Sequence, residues 1–146
     1  MKLKVKKLRP EAILPTYGSK QAAAFDLYAA EQVTILPGHT VAVDTGLAFE
    51  LPENHYLEIY PRSGLSLQTN VRIANAPGIV DEDYKGAVKI IIDNIMTKFP
   101  NPYIICAGQR IAQGIVRYRK EQDSFEEVEE LSITERGANG MGSTGL

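Results

Sequence analysis

The sequence contains one cysteine, no tryptophan, two histidines and no long apolar run. A single cysteine, Cys106, excludes an internal disulfide framework and is typical of a reducing compartment. His39 and His55 alone offer little material for a histidine metal site or a catalytic triad. No apolar run approaches the ~18 residues that a membrane span needs, and the N-terminus lacks the apolar stretch of a signal peptide. We therefore expect no targeting signal, no membrane association and a cytoplasmic location, or the interior of a host cell if the source is viral.

The sequence also lacks a strong excess of positive or of negative charge. The 146 residues carry 16 Lys and Arg against 18 Asp and Glu, which gives a formal net charge of −2. Because the only basic run is the short KLKVKK at the start, we expect no stable nucleic-acid binding. The length predicts one domain with a real core. Cys106 ends the apolar run YIIC, which predicts a buried structural thiol rather than a nucleophile.

Turn-forming residues are abundant, with 12 Gly and 8 Pro spaced so that little room is left for ordinary helices. Short β-branched runs lie between them, a pattern that predicts an all-β antiparallel sandwich or barrel. One helical turn is predicted from Ser63 to Gln68, after Pro61. The alternating KLKVKK and the apolar AAAFDLYAAE also predict strands. The remaining predicted strands are Val33–Leu36, Val41–Leu47, Tyr56–Tyr60, Val71–Ile73, Ala87–Asn94, Tyr103–Cys106 and Ile111–Tyr118.

The composition changes near the C-terminus. Residues 1–120 form the predicted sandwich, and residues 121–135 are acidic with interspersed apolar side chains. That segment fits either a disordered linker or an extended edge strand, and we favour an extended segment that docks on something and carries the tail away from its own domain. Residues 136–146, RGANGMGSTGL, combine glycines, hydroxyls and Arg136. Such a segment is either a disordered tail or a lid that closes around an anion.

Two further blocks carry possible chemistry. In PRSGLS, Arg62 offers a planar fork for phosphate oxygens, Ser63 a hydroxyl and Gly64 a close backbone approach, although the same residues can simply form a turn. GIVDEDYKG predicts an acidic hairpin tip between two strands. Alternation would place Asp81 near the core face, on the opposite side from Glu82. An inward carboxylate can position water, and Tyr84 can form the wall of a flat pocket.

Two polar residues interrupt apolar strands. Gln113 lies in the middle of RIAQGIV, where it is either satisfied structurally or aimed at a ligand. Asp26 lies between Phe25 and Leu27 and is either a member of a polar network or a ligand of metal-bound water.

Five blocks occur in order along the chain: FDLYAAE, PRSGLSL, GIVDEDYKG, RIAQGIV and RGANGMGSTG. Together they resemble the five motifs of the trimeric dUTPases, the deoxyuridine triphosphate nucleotidohydrolases, over nearly the whole chain. The resemblance implies a jelly-roll-like β-sandwich of the β-clip type, assembled as a homotrimer with exchanged C-terminal arms. It also implies Mg²⁺-dependent hydrolysis of dUTP to dUMP and pyrophosphate, which limits uracil incorporation into DNA and supplies dUMP for dTMP synthesis.

The resemblance also implies roles by position. Asp81 matches the general base that activates water for attack on the α-phosphorus. Tyr84 matches the aromatic residue under the deoxyribose, whose packing leaves no space for a 2′-hydroxyl. The uracil pocket is matched by Asn75, Gly78, Ile79 and Val80.

The remaining matches concern the phosphates, the lid and the metal. Lys89 aligns with a variable strand position near the substrate. Asp26 matches an acid near the water shell of Mg²⁺, which is otherwise held by the substrate's phosphates. The phosphate contacts are matched by Arg62, Ser63, Gly64 and Gln113, and the lid by Arg136, Met141, Gly142, Ser143 and Thr144.

A departure from the family in the lid and two alternative functions bear on this reading. Met141 stands where the family usually has a Phe that stacks over uracil, and a thioether covers a ring less rigidly. The dCTP deaminase branch shares the implied fold and trimer, and a nucleotide-binding regulatory trimer without turnover is the non-enzymatic alternative. RGANGMGSTG and VDEDY favour the hydrolase, and the presence of Asp81 and Arg136 argues against a silent binder.

Overall fold

The computed structural model describes residues 2–96, 101–135 and 137–139. Within these ranges the chain forms short strands and one short helix, so the all-β prediction is confirmed. No helix in the described ranges is long and apolar enough to cross a membrane. The elements in chain order are β1 (Lys4–Lys7), β2 (Thr16–Tyr17), β3 (Phe25–Tyr28), β4 (Val33–Ile35), β5 (Thr40–Asp44), β6 (Leu47–Glu50), β7 (His55–Tyr60), α1 (Ser63–Gln68), β8 (Val71–Ile73), β9 (Gly78–Val80), β10 (Lys89–Asn94), β11 (Tyr103–Ile105) and β12 (Arg110–Tyr118).

The strands form antiparallel sheets around one core. The largest sheet has the order β2-β3-β12-β7-β9, and a second sheet has the order β5-β10-β8. Strands β1 and β6 form one two-stranded sheet, and β11 and β4 form another. In β7, Leu57 and Ile59 point inward and are buried, as are Ile90 and Ile92 of β10. This period-two pattern buries one face of β7 and one face of β10 in a shared apolar cluster.

The predicted strand Val41–Leu47 is wrong in one respect, because the chain leaves one sheet and enters another within it. β5 ends at Asp44 and pairs with β10, whereas β6 begins at Leu47 and pairs with β1. Gly46 has φ +66, and an added Cβ would lie 2.8 Å from the Ala12 Cβ. The Asp44 carboxylate accepts a hydrogen bond from the Gly46 N–H at 2.7 Å. A glycine and a local side-chain acceptor therefore make the bend.

The predicted acidic hairpin is also wrong. β9 pairs with β7, whereas β10 pairs with β5 and β8, so the segment between β9 and β10 crosses from one sheet to another. It begins with a turn in which the Tyr84 N–H donates to the Asp81 carbonyl at 3.2 Å. Asp81 and Asp83 are exposed and Glu82 is half-buried, so Asp81 does not lie near the core face. Turn geometry replaces strand alternation here.

Two other expectations about burial change. Cys106 is exposed, because it follows the inward Ile105 and begins a turn in which the Gln109 N–H donates to its carbonyl at 3.0 Å. Residues 121–135 form no strand, and Phe125, Leu131 and Ile133 are 97%, 85% and 101% exposed. This segment is therefore not docked on its own chain.

Candidate functional site

A cleft of about 360 Å³ opens between β9 and β10. Its apolar wall comes from side chains of β5, β7, β8 and β10, and its polar groups come from the segments that flank β9 and from the first residue of β10. We call it the β9–β10 cleft. The predicted site residues that line it are Asn75, Gly78, Ile79, Val80, Asp81, Tyr84 and Lys89.

Two features of β9 bear on this cleft. β9 is the last strand of its sheet, so one of its edges has no neighbouring strand among the described residues. Gly78 is buried, and a Cβ there would lie 3.4 Å from the Asn75 Nδ2 and 3.5 Å from the Ile59 Cβ. These are ordinary van der Waals distances, so the Asn75 amide packs directly beside the backbone of β9. A free strand edge beside an amide offers donors and acceptors to a flat polar ring.

Tyr84 is held across the cleft by its neighbours. Its hydroxyl donates a hydrogen bond to the Ala87 carbonyl at 2.9 Å, and its side chain is 47% exposed. A Cβ on Gly86 would lie 2.5 Å from the Tyr84 hydroxyl oxygen. The tyrosine can therefore occupy this place only because residue 86 is glycine. The sequence singled out Gly86 only as the end of a motif.

Asp81 presents a carboxylate to the cleft. It is exposed, and within the described ranges its carboxylate has no hydrogen-bond or ion-pair partner. The acid beside it, Glu82, accepts a hydrogen bond from the Asn54 N–H at 2.9 Å and contacts the Arg119 guanidinium at 3.4 Å. Of these two acids, Asp81 is therefore the one available to a ligand or a water molecule.

A second group of predicted residues lies outside this cleft, around Asp26. The buried Asp26 accepts a hydrogen bond from Arg62 Nε at 2.8 Å and pairs with Arg110 Nη1 at 3.3 Å. Arg62 also donates to the Arg110 carbonyl at 3.4 Å. Asp26 is thus a network member that orients two guanidinium groups. Sequence reasoning missed the part played by Arg110, although RIAQGIV contains it.

The remaining residues of this second group, Gln113, Ser63 and Gly64, lie within three residues of Arg62 or Arg110 in the sequence. Gln113 Nε2 donates to the Pro61 carbonyl at 2.8 Å, which fixes the segment just before Arg62. Of the two roles that the sequence left open for Gln113, the structural one is therefore seen, because its amide is satisfied by a hydrogen bond within the chain. Ser63 and Gly64 begin α1 and are exposed. None of these residues lines the β9–β10 cleft.

The predicted lid belongs to the C-terminal residues of the chain. Arg136, Met141, Gly142, Ser143 and Thr144 lie outside the described residues. Within the described ranges, no group of three or more His, Cys, Asp or Glu side chains could hold a metal ion.

Sequence reasoning also missed a network on the outward face of β7. Glu58 accepts hydrogen bonds from the Tyr60 hydroxyl at 2.7 Å, the Arg117 Nε at 3.1 Å and the Tyr56 hydroxyl at 3.0 Å. These bonds, that of Tyr60 first, lower the pKa of Glu58, and the same carboxylate raises the pKa of both tyrosines. The alternation in HYLEIY puts the three residues of β7 on one face, but only strand pairing brings Arg117 to them.

Comparisons with known proteins agree with this geometry. A family described as dUTPase matches residues 10–145. The deoxyuridine 5′-triphosphate nucleotidohydrolase of Nautilia profundicola is 45% identical over 145 residues and covers 99% of both chains. That of Wolinella succinogenes is 46% identical over 145 residues, with 99% of this chain and 95% of the relative covered. The Staphylococcus bacteriophage 80alpha dUTPase solved with dUpNHpp has a TM-score of 0.86 at 29% identity, with 99% of both chains covered. The expected jelly-roll-like fold is thereby confirmed.

Proposed function

The chain belongs to the dUTPase family and hydrolyses dUTP, and we propose that it does so with the nucleotide in the β9–β10 cleft. The products are dUMP and pyrophosphate. The observation that carries the proposal is that the residues matched to the base, the sugar and the attacking water all line one cavity. The dCTP deaminase and silent-binder alternatives are not favoured, because the relatives are named as dUTP nucleotidohydrolases.

The cleft can recognise uracil by its polar edge. Uracil presents a donor at N3 and an acceptor at O4, and cytosine lacks this pattern. The free edge of β9 and the Asn75 amide supply complementary groups. A wrong base would leave buried polar groups unpaired, which is the strongest form of small-molecule discrimination. The Tyr84 ring forms the wall under the deoxyribose, and we assign it the exclusion of a 2′-hydroxyl.

Asp81 is the proposed general base. Its unpaired carboxylate can accept a proton from a water molecule as the water's oxygen attacks the α-phosphorus and pyrophosphate leaves. A carboxylate is a weak base at neutral pH, so most of the rate must come from placing the water and from neutralising phosphate charge. Positioning of Asp81 therefore matters more than its basicity.

The triphosphate requires cations. Arg62, held by Asp26, is the proposed phosphate contact, with Ser63, Gly64 and the lid from Arg136 to Thr144 completing it. Mg²⁺ is usually bound by one or two carboxylates together with substrate phosphates, which fits a protein whose described residues form no metal cluster. When bound, it would neutralise charge on the phosphates. Asp26 is proposed to act through metal-bound water, and because each of its two oxygens already contacts an arginine, such a water would share these oxygens with Arg62 and Arg110.

The proposed assembly is a homotrimer in which neighbouring chains complete each site. Two features support it. The residues of the β9–β10 cleft and those around Asp26 form separate groups within one chain. The segment 121–135 leaves large apolar side chains exposed on its own chain. A symmetric assembly can join the two groups and cover the segment. A cytoplasmic location stays a prediction.

The direct test is pyrophosphate release from dUTP, dCTP, dTTP and UTP, with and without Mg²⁺. We expect turnover of dUTP alone and dependence on Mg²⁺. Asp81→Asn keeps the size of the side chain and should retain binding of dUpNHpp while kcat falls at least ~100-fold, because a positioned base contributes about that much. Unchanged turnover in this variant would remove Asp81 from the mechanism.

Site sharing has its own test. Asp81→Asn and Arg62→Ala chains, each carrying a different affinity tag, are co-expressed and the mixed assemblies are isolated. If Asp81 and Arg62 of one site come from neighbouring chains of a cyclic trimer, about one third of the sites in the isolated mixed trimers should be intact, because a 2:1 and a 1:2 trimer each contain one neighbouring pair that supplies both residues. If both residues come from one chain, every site carries a defect and activity stays at the level of the single variants.

A further inference from the structure

A polar contact behind the turn of Asp81 links three segments that are distant in sequence. The Glu82 Oε2 accepts a hydrogen bond from the Asn54 N–H at 2.9 Å and lies 3.4 Å from Arg119 Nη2. The Arg119 N–H in turn donates to the Asn54 carbonyl at 2.6 Å. The three residues therefore close a ring of contacts, which we call the Glu82 clamp. It joins the turn after β9 to the loop before β7 and to the end of β12.

The geometry around Asn54 is specialised for this contact. Asn54 is the only non-glycine residue of the described ranges with a positive φ, at 58°. Asparagine tolerates this left-handed conformation better than most residues. The conformation is compatible with its N–H and carbonyl serving two different partners, Glu82 and Arg119. The Glu82 clamp therefore includes two contacts of the Asn54 backbone in addition to the ion pair between Glu82 and Arg119.

Asp81 depends on such support because it has none of its own. Its carboxylate is exposed and unpartnered within the described ranges, so the backbone of the turn is what fixes the place from which this side chain reaches into the cleft. That turn is held by Glu82 through its side chain, and through its carbonyl, which accepts from Lys85 Nζ at 2.5 Å. A displacement of about 1 Å at a reacting group can cost ~100-fold in rate.

We propose that Glu82 is a positioning residue for the hydrolysis of dUTP: through Asn54 and Arg119 it fixes the turn that aims Asp81 at the attacking water. This inference rests on the proposed role of Asp81 as the base. Glu82 does not touch the nucleotide, and it acts only through the residue before it. The proposed contacts to the base, from the edge of β9 and from Asn75, precede this turn, so we expect the clamp to affect turnover more than substrate affinity.

The test compares four variants with the wild type. Glu82→Ala removes both side-chain contacts, Glu82→Gln keeps an acceptor for the Asn54 N–H, and Arg119→Gln removes only the charge partner. Glu53→Gln is the matched control, because Glu53 is an exposed acid in the same loop as Asn54 and its side chain has no partner in the described ranges. For each variant, kcat and KM for dUTP are measured, together with the affinity and stoichiometry of dUpNHpp binding.

We expect Glu82→Ala to lower kcat by about 10- to 100-fold while KM and dUpNHpp affinity change by less than about threefold. Glu82→Gln and Arg119→Gln should fall between Glu82→Ala and the wild type, and Glu53→Gln should match the wild type. The number of binding sites per chain should stay constant.

Three results would decide against the clamp. A kcat for Glu82→Ala within about twofold of the wild type would overturn it. A loss of binding sites in proportion to kcat would indicate misfolding, and a fall equal to that of Glu53→Gln would indicate a general charge effect. Full activity in Asp81→Asn would instead overturn the proposed function, so the two failures are distinguishable.

Discussion

Gly86→Ala should displace Tyr84 without disturbing the core. A Cβ at residue 86 would lie 2.5 Å from the Tyr84 hydroxyl oxygen and 2.7 Å from its Cζ. Because non-bonded carbon contacts are comfortable at ~3.5–4.0 Å, the ring must withdraw by about 1 Å. The hydrogen bond from Tyr84 to the Ala87 carbonyl would then be weakened or lost. Gly86 has no positive φ, so the alanine itself brings no backbone strain.

The kinetic consequence follows from the place of Tyr84 in the cleft wall. We expect kcat/KM for dUTP to fall by about 10- to 100-fold, as for other misplacements of this size. We expect the preference for dUTP over UTP to fall by roughly tenfold, or ~1.4 kcal/mol, because the wall no longer excludes the 2′-hydroxyl. The free energy of unfolding should change by less than about 0.5 kcal/mol, because Tyr84 is half exposed.

The assay measures pyrophosphate release from dUTP and UTP by Gly86→Ala, the wild type and Gly18→Ala. Gly18 is the control, because an added Cβ there meets no atom within 4 Å. An unchanged kcat/KM with unchanged sugar preference would refute the assignment of Tyr84 as the deoxyribose wall. Equal losses in Gly18→Ala would show that the effect is not local.

Two predictions concern stability. Gly114→Ala places a Cβ 2.6 Å from Phe25 Cε2 and 3.0 Å from Leu57 Cδ1, both buried, so we expect the free energy of unfolding measured in urea to fall by about 1–3 kcal/mol, and an unchanged value would contradict this. Glu58 has a folded pKa below its ordinary 4.5, so its stabilisation is present above pH 4.5 and is lost as pH falls through the folded value. In urea titrations over about pH 3 to 6, wild-type stability should therefore fall more steeply with acid than that of Glu58→Gln, and parallel profiles would contradict this.

The parts of the site that sequence could predict are those that are local in the chain. The helix Ser63–Gln68 and the strand Val71–Ile73 were predicted with the bounds that the structure shows. The residues from Gly78 to Tyr84 form one motif, and all that were proposed for the cleft do line it. In these segments, proline, glycine and β-branched residues decide the conformation through nearby sterics, and such effects can be read from sequence.

The parts that could not be predicted depend on which strands pair. Glu58 meets Arg117 only because β7 lies beside β12, and Glu82 meets Asn54 and Arg119 across separations of 28 and 37 residues. The acidic segment after β9 looked like a hairpin because its flanking runs are both strand-like, but their partners lie elsewhere. Exposure of Cys106 depends on where β11 ends, a boundary that an apolar run does not reveal.

The open β9–β10 cleft and the exposed segment 121–135 can both be explained by association of identical chains. A carboxylate that aims water at a phosphate gains from exclusion of bulk water, yet Asp81 is exposed and Tyr84 is 47% exposed. Residues 121–135 lack burial instead, since the apolar side chains of Phe125, Leu131 and Ile133 are almost fully exposed in the described chain. Association of identical chains can remove both deficits at once, because every chain brings a cleft that needs cover and a segment that needs burial.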